Sequence, residues 1–425
     1  MVKKRLLLFP VLFFVLLLQA NDYNTYFSDG RIRMNYTIQG NSAYQEILEH
    51  SYILEGVWGG SKANLVDTFS YGRVMLEGYD FYSNKLIYSR GYSNLFQEWQ
   101  TIAEAKTTVK KFRECVLFPR PKNKVKIIIH ARDSNLVFQP FFKTELDPAV
   151  FPVTSDPSKN QEYQTVHGHY PSHKALDIVF VSEGYTSDQK DKFIGDVERF
   201  RDNLFRWEPY SLYQNKINVH AVFLASEEQG VDIPGDSIWK STWLDATFYT
   251  FGIERYMSVP DLTKVYDYLS GVPIDQLCVL INSEKYGGGG IYNFYNIFTS
   301  DNERAAFLFI HEFGHGFAGL ADEYFSSEVA YEDFVRTDLE PVEPNITTLV
   351  DFAGKWASLV HDSIPVPTPD KSQYDNVIGV FEGASYQAKD VYRPARDCAM
   401  KTSTYGKFCP VCTEHIIRMI GFYSY

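Results

Sequence analysis

Residues 305–315, Ala305-Ala306-Phe307-Leu308-Phe309-Ile310-His311-Glu312-Phe313-Gly314-His315, run an apolar stretch straight into an HExxH string. The apolar stretch suits a buried helix, and histidines four apart lie on one helical face, a turn above each other. Their imidazoles can then hold one zinc ion, with Glu312 placed to take a proton from metal-bound water. That is the minimal kit for hydrolysing a peptide bond without a covalent intermediate. Ser300 and Glu303 have the S-x-x-E spacing of a capping box and predict the start of the helix. Gly319 is the candidate C-cap. Gly314 and Gly316 fall inside the helix, where each costs about 1 kcal/mol relative to alanine. Room for substrate or close packing must favour them.

A catalytic zinc usually keeps three protein ligands and one water. In the pattern HExxHxxGxxH, a glycine turns the chain and the third ligand follows three residues later. Here Ala318 and Ala321 occupy those positions, and the pattern returns one residue on, as Gly319-Leu320-Ala321-Asp322. Asp322 is therefore the first choice as third ligand, with Glu323 its rival. Either carboxylate could instead cap a loop or support a ligating histidine. Downstream, Cys398-Ala399-Met400-Lys401 places a methionine where a tight turn could pass beneath the metal. A lone methionine fills cores equally well.

Outward from this helix the chain divides in two. Residues 21–165 look β-rich: Ile32 to Thr37, Val74 to Glu77, Lys85 to Gly91 and Val125 to His130 read as short strands between polar turns, as in a sandwich. Pro152 to Ser172 is polar and reads as a linker carrying His167 and His169, with His173 just beyond; surface histidines are usually only solvated. Residues 166–425 change pattern. Ala175 to Val181 is a continuous apolar strand, Asp188 to Phe205 an amphipathic helix, and Ile217 to Phe223 and Gln276 to Ile281 two more strands. Strand, helix, strand, strand and then the HExxH helix describe a sheet packed under an active-site helix. The fold class expected is α+β or α/β, a β-sandwich followed by the metal-binding domain. Gly287 to Gly290 could be a flexible loop or a sheet edge that bonds an extended peptide. A phosphate-binding loop is disfavoured, because no Lys-Ser or Lys-Thr follows.

The chain has 425 residues, 45% hydrophobic and 22% charged, which is ordinary globular content for two or three domains. Lys3, Lys4 and Arg5 precede an apolar run from Leu6 to Leu18, the form of a signal peptide over residues 1–20 that is too short for a comfortable membrane span. A secreted or extracytoplasmic protein is expected, with no stable membrane span after cleavage. Leu18 is a poor match to the small-x-small cleavage rule, so uncleaved anchoring stays open. Losing those three basic residues would take the net charge from −12 to −15, which argues against nucleic acid as a partner. Of five cysteines, Cys398, Cys409 and Cys412 cluster near the C-terminus. In an oxidising compartment at least one disulfide is expected there, in preference to a redox or metal role for the CxxC at Cys409 and Cys412. Asn35 and Asn345 head glycosylation sequons in form.

The string His311 to Tyr324, read as HEFGHxxxGLxDEY, together with Cys398-Ala399-Met400 and Phe408-Cys409-Pro410-Val411-Cys412, resembles the IgA peptidase family of zinc metallopeptidases. The resemblance runs from Asp177-Ile178-Val179 and Glu183-Gly184-Tyr185 to the C-terminus, and the β-rich region resembles that family's N-terminal domain. It implies a bacterial, extracytoplasmic metalloendopeptidase with a metzincin-like catalytic domain. In that reading zinc is held by His311, His315 and Asp322, and Glu312 is the general base. Tyr324 or Tyr405 assists the developing oxyanion. The substrate is a protein or peptide, with immunoglobulin A a candidate, since fold and site do not fix specificity. The competing classes are a secreted host-protein or glycan binder with a non-catalytic zinc site, which would need no Glu312, and a zinc amidase acting on cell-wall peptides.

Overall fold

The computed structural model describes residues 22–150, 162–325 and 335–425. The signal-peptide expectation for residues 1–20 lies outside the described residues, as does the first half of the expected linker, up to residue 161. Seven strands build the N-terminal part: β1 (Phe27–Gly40), β2 (Gln45–Glu55), β3 (Val74–Asp80), β4 (Leu86–Tyr92), β5 (Lys110–Pro121), β6 (Val125–Arg132) and β7 (Phe138–Leu146). They form two antiparallel sheets, ordered β2-β1-β5 and β4-β3-β6-β7. In β6 burial alternates residue by residue, so Val125, Ile127, Ile129 and Ala131 line one face, as strand geometry requires. Ile32, Met34 and Ile38 of one sheet share a core with Val74, Leu76 and Ile127 of the other.

The second part is a six-stranded sheet. Its strands are β8 (Tyr163–His167), β9 (Leu176–Glu183), β10 (Ile217–Val222), β11 (Gln276–Ile281), β12 (Gly288–Ile291) and β13 (Tyr295–Thr299), in the order β12-β13-β11-β9-β10-β8. The inner pairs are parallel and the two outermost pairs antiparallel. Every residue of β9 is buried, which explains its unbroken apolar run. The two faces of the sheet serve different layers. Val179, Val181, Val279 and Ile297 join the core of the N-terminal sheets. Ile178, Phe180, Leu280 and Phe298 pack against helices α3 (Lys190–Leu204), α5 (Ala305–Ala318) and α6 (Pro410–Tyr423). Two shorter helices, α1 (Asp22–Tyr26) and α2 (Leu95–Trp99), belong to the N-terminal part, and α4 (Leu262–Asp267) precedes β11. A final hairpin pairs β14 (Phe381–Ala384) with β15 (Gln387–Arg393). The architecture is α+β, with a β-rich N-terminal region leading into a sheet-and-helix region.

Two expectations change here. Part of the expected linker is strand β8, because its polar residues cover the outer edge of β10, pairing through the backbone and through Thr165 Oγ1 on His220 Nδ1 at 3.0 Å. The capping box does not form. Ser300 is still tied to the sheet, its N–H bonded to Ile281 O at 2.8 Å, while Glu303 is exposed. The helix starts later, after Arg304, whose N–H is held by Asn302 Oδ1 at 2.9 Å.

Candidate active site

Helix α5 ends where Gly319 adopts φ +63°, a left-handed cap that a residue with a Cβ would strain. Its N–H bonds His315 O at 3.0 Å, and the Leu320 N–H bonds Gly314 O at 3.2 Å. That turn swings the chain back, so Asp322 returns to the histidines. His311 Nε2 lies 2.9 Å from Asp322 Oδ1, His315 Nε2 lies 3.3 Å from it, and the two Nε2 atoms are 3.2 Å apart. The other ring nitrogens are spent on backbone carbonyls: His311 Nδ1 on Ala399 O at 3.1 Å, His315 Nδ1 on Leu320 O at 2.6 Å. With Nδ1 as donor, each Nε2 presents a lone pair, so two lone pairs and a carboxylate face one point. Such a set repels itself unless a cation or proton sits among it. Burial opposes charge on His315, but Asp322 outweighs it and lifts the imidazole to about 9. Burial likewise opposes the Asp322 charge, yet His315 and His311 hold that carboxyl well below its ordinary range. Neutral imidazoles with one carboxylate are a zinc-type donor set, and bonds of about 2.0–2.1 Å would put tetrahedral ligands at such separations.

Glu312 is 9% exposed, and burial raises its carboxyl above the ordinary range, with His311 opposing. Glu323 does not join this trio. Its carboxylate points to Asn345 and to the cysteines, and its N–H bonds Met400 O at 2.8 Å. Asn345 is fully buried, its amide spent on Ala321 and Glu323, which leaves no room for a glycan there. Met400 is fully buried in the turn beneath α5, and a Cβ on Gly314 would meet its sulfur at 2.6 Å. A Cβ on Gly316 would meet the Asn296 side chain at 2.0 Å. Close packing therefore repays both helical glycines.

Gly288 to Gly290 lie in β12, the edge strand of the sheet, and are not a flexible loop. The glycines let this edge lie against the helix: a Cβ on Gly290 would come within 2.2 Å of Glu312 O. The cleft between them has about 1060 Å³ of empty space open to solvent, lined by the histidines, Glu312, Asp322, Tyr324 and the glycine strand.

Tyr324 stacks on His311 with ring centroids 6.1 Å apart and hydrogen-bonds Arg255. Tyr405 does not line the cleft; Lys407 covers its ring at 4.9 Å. Three further residues were invisible in the sequence. Tyr386 donates its hydroxyl to Asp322 Oδ2 and lies 3.5 Å from the Tyr324 hydroxyl. It sits in the two-residue turn of the β14–β15 hairpin, where Ser385 and Tyr386 both have positive φ. Their N–H groups bond Asp322 O and Tyr324 O at 2.9 and 3.1 Å, so the hairpin clamps the segment carrying Asp322. Arg255 and Glu98 come from distant loops and helices; Glu98 accepts the Tyr256 hydroxyl, and burial lifts it to about 7. No local pattern marks any of these. His167 instead bonds Gln214 O and packs on Phe205, and neither it, His169 nor His173 joins a metal-type cluster among the described residues.

The cysteine expectation is overturned. All five are free. Cys398, Cys409 and Cys412 gather with Glu323 in a second cluster of metal-ligand type, because the fold folds the Met400 turn and the start of α6 against the segment after α5.

The HExxH helix thus lies against a sheet edge that is covered only at Gly288, with a carboxylate returned to its histidines by a glycine turn. The model of the IgA peptidase M64 family matches residues 165–376 and 370–420, and the model of the peptidase M64 N-terminus matches residues 22–143. The chain belongs to the IgA peptidase M64 family, and its substrates are proteins. Comparison with curated proteins returned no match. Among the described residues no helix is long and apolar enough to cross a membrane.

Proposed function

We propose that this chain is a zinc-dependent endopeptidase that works outside the cytoplasm, delivered by its N-terminal signal segment. The observation that carries the reading is the convergence of His311 Nε2, His315 Nε2 and Asp322 Oδ1, with Glu312 beside them. Those three groups would hold the ion. When bound, zinc would polarise a water and the scissile carbonyl. Glu312 takes the water's proton and returns it to the leaving amine. Its raised carboxyl suits a group that must both accept and give. Tyr324 keeps its proton, because burial raises the phenol, and it donates to the carbonyl oxygen as charge develops. At Gly288 the outward backbone groups are already paired with Arg255 O and the Met257 N–H. The Gly290 end of the strand lines the cleft and would pair with an extended substrate backbone. An open cleft with a strand edge favours protein chains over a small cell-wall amide. An intact Glu312 speaks against a purely binding role.

The test compares wild type with Glu312→Gln on an unfolded protein and on immunoglobulin A heavy chain. Internal cleavage by wild type, abolished by chelation and restored by zinc, is expected. Glu312→Gln should keep its metal and lose at least about 100-fold in kcat. Full activity in that variant would overturn the mechanism. Cleavage of the unfolded protein but not of the heavy chain would remove immunoglobulin A as substrate and leave the enzyme class.

A further inference from the structure

Three thiols and a carboxylate meet in the interior beneath the active site, and the catalytic reading uses none of them. Cys398, Cys409, Cys412 and Glu323 are each 0% exposed, and one ligand atom from each lies within 4.8 Å of all the others. Cys412 Sγ is 3.8 Å from Cys398 Sγ and 3.1 Å from Glu323 Oε1, and Cys409 Sγ is 3.9 Å from the same oxygen. A tetrahedral ion with bonds of about 2.3 Å to sulfur holds its sulfurs about 3.8 Å apart, whereas a disulfide needs about 2.05 Å. Backbone donors already point at two of the sulfurs. The Cys409 N–H lies 3.2 Å from Cys398 Sγ, and the Cys412 N–H lies 3.5 Å from Cys409 Sγ. Such donors, at the first turn of α6, favour thiolate over thiol. Glu323 Oε2 is buried with no hydrogen-bond partner, a costly orphan unless something else satisfies it. The cysteines at 409 and 412 have the C-x-x-C spacing of zinc sites, and the turn at Cys398 and the segment at Glu323 complete the four ligands.

We propose that Cys398, Cys409, Cys412 and Glu323 form a second, structural zinc site, closed to substrate. It joins three pieces that the catalytic site depends on: Glu323 follows Asp322 directly, Cys398 begins the turn that carries Met400 and the Ala399 carbonyl, and the other two cysteines anchor α6. The ion would act as a staple under the active site and take no part in turnover.

The test is zinc content of the full chain purified without chelator, in wild type and in His315→Ala, which removes a catalytic-site donor and leaves all four staple residues intact. About two zinc ions per chain are expected in wild type and about one in His315→Ala. The ion retained in His315→Ala should be released by an organomercurial thiol reagent. Cobalt(II) in its place should show thiolate-to-metal charge-transfer absorption. About one zinc in wild type that disappears in His315→Ala would overturn the staple and leave the catalytic reading standing, as would a Cys409–Cys412 disulfide by mass spectrometry. About one zinc in wild type that persists in His315→Ala and shows the thiolate signature would support the staple and count against the catalytic site.

Discussion

At the scale of single residues, two tyrosines that touch each other have separable duties. Tyr324 faces the cleft, and Tyr386 holds the far oxygen of Asp322. On the proposed mechanism Tyr324 donates to the developing oxyanion, so Tyr324→Phe should lower kcat by roughly 100-fold with metal content unchanged. Removing the Tyr386 hydroxyl frees Asp322 to turn, so Tyr386→Phe should weaken metal affinity by roughly 10- to 100-fold. Titration with a competing chelator alongside steady-state kinetics separates the two. Equal loss of affinity in both variants would refute the division. A third residue, Glu114, tests electrostatics away from the site. It is buried among Tyr36, Asn94 and the Phe96 N–H, and burial lifts it from 4.5 to about 7. The folded state binds this proton more tightly than the unfolded chain does. Its stabilising contribution is therefore complete below about pH 4.5 and is lost as pH rises towards 7, on the order of 3 kcal/mol in all. Denaturant unfolding across that range should show a shallower fall in Glu114→Gln than in wild type; identical slopes would refute the assignment.

At the scale of elements, the candidate site depends on how closely strand β12 approaches helix α5. A Cβ at Gly290 would collide with the backbone oxygen of Glu312, which no rotamer change relieves. Gly290→Ala should cost about 1–3 kcal/mol and push the edge strand away from the helix. The expected result is a lower Tm together with a fall in kcat/KM larger than the unfolded fraction explains. Unchanged Tm and kinetics would mean that the strand is not seated as described. The β14–β15 hairpin is the other element the site leans on, since its two turn residues hold Asp322 and Tyr324 through backbone bonds.

At the scale of the molecule, the β-rich region and the catalytic sheet share a core, and buried charges lock them. Arg31 Nε lies 2.6 Å and Arg33 Nε 2.8 Å from the Glu55 carboxylate, with all three side chains within 1% of complete burial. The arginines also reach the other part: Arg31 donates to Val272 O and Leu269 O, and Arg33 to Thr263 O and Asp267. Glu55→Ala leaves two guanidinium groups buried without their carboxylate and should cost about 3–5 kcal/mol in unfolding free energy. Chemical denaturation followed by tryptophan fluorescence checks it; a loss below 1 kcal/mol would mean that water reaches the arginines.

The helix of His311 and His315, its glycine cap and the return of Asp322 were legible because each depends on neighbours within a few positions along the chain. Helical period, cap chemistry and turn spacing are local properties, and so are the apolar run of β9 and the alternation of β6. The helix starts later than the Ser300 and Glu303 spacing predicts, because the Ser300 N–H is held by Ile281 O of β11. Tyr386, Arg255, Glu98 and the Cys398–Glu323 pairing were not legible at all, since each reaches the site through a hairpin, a loop or a shared core with no sequence period linking it to the histidines. Local backbone geometry, written in the sequence, determined the histidine helix and its carboxylate. Long-range packing, whose energy is spread over many side chains, decided what stands behind Asp322 and that Cys398, Cys409 and Cys412 gather beside Glu323.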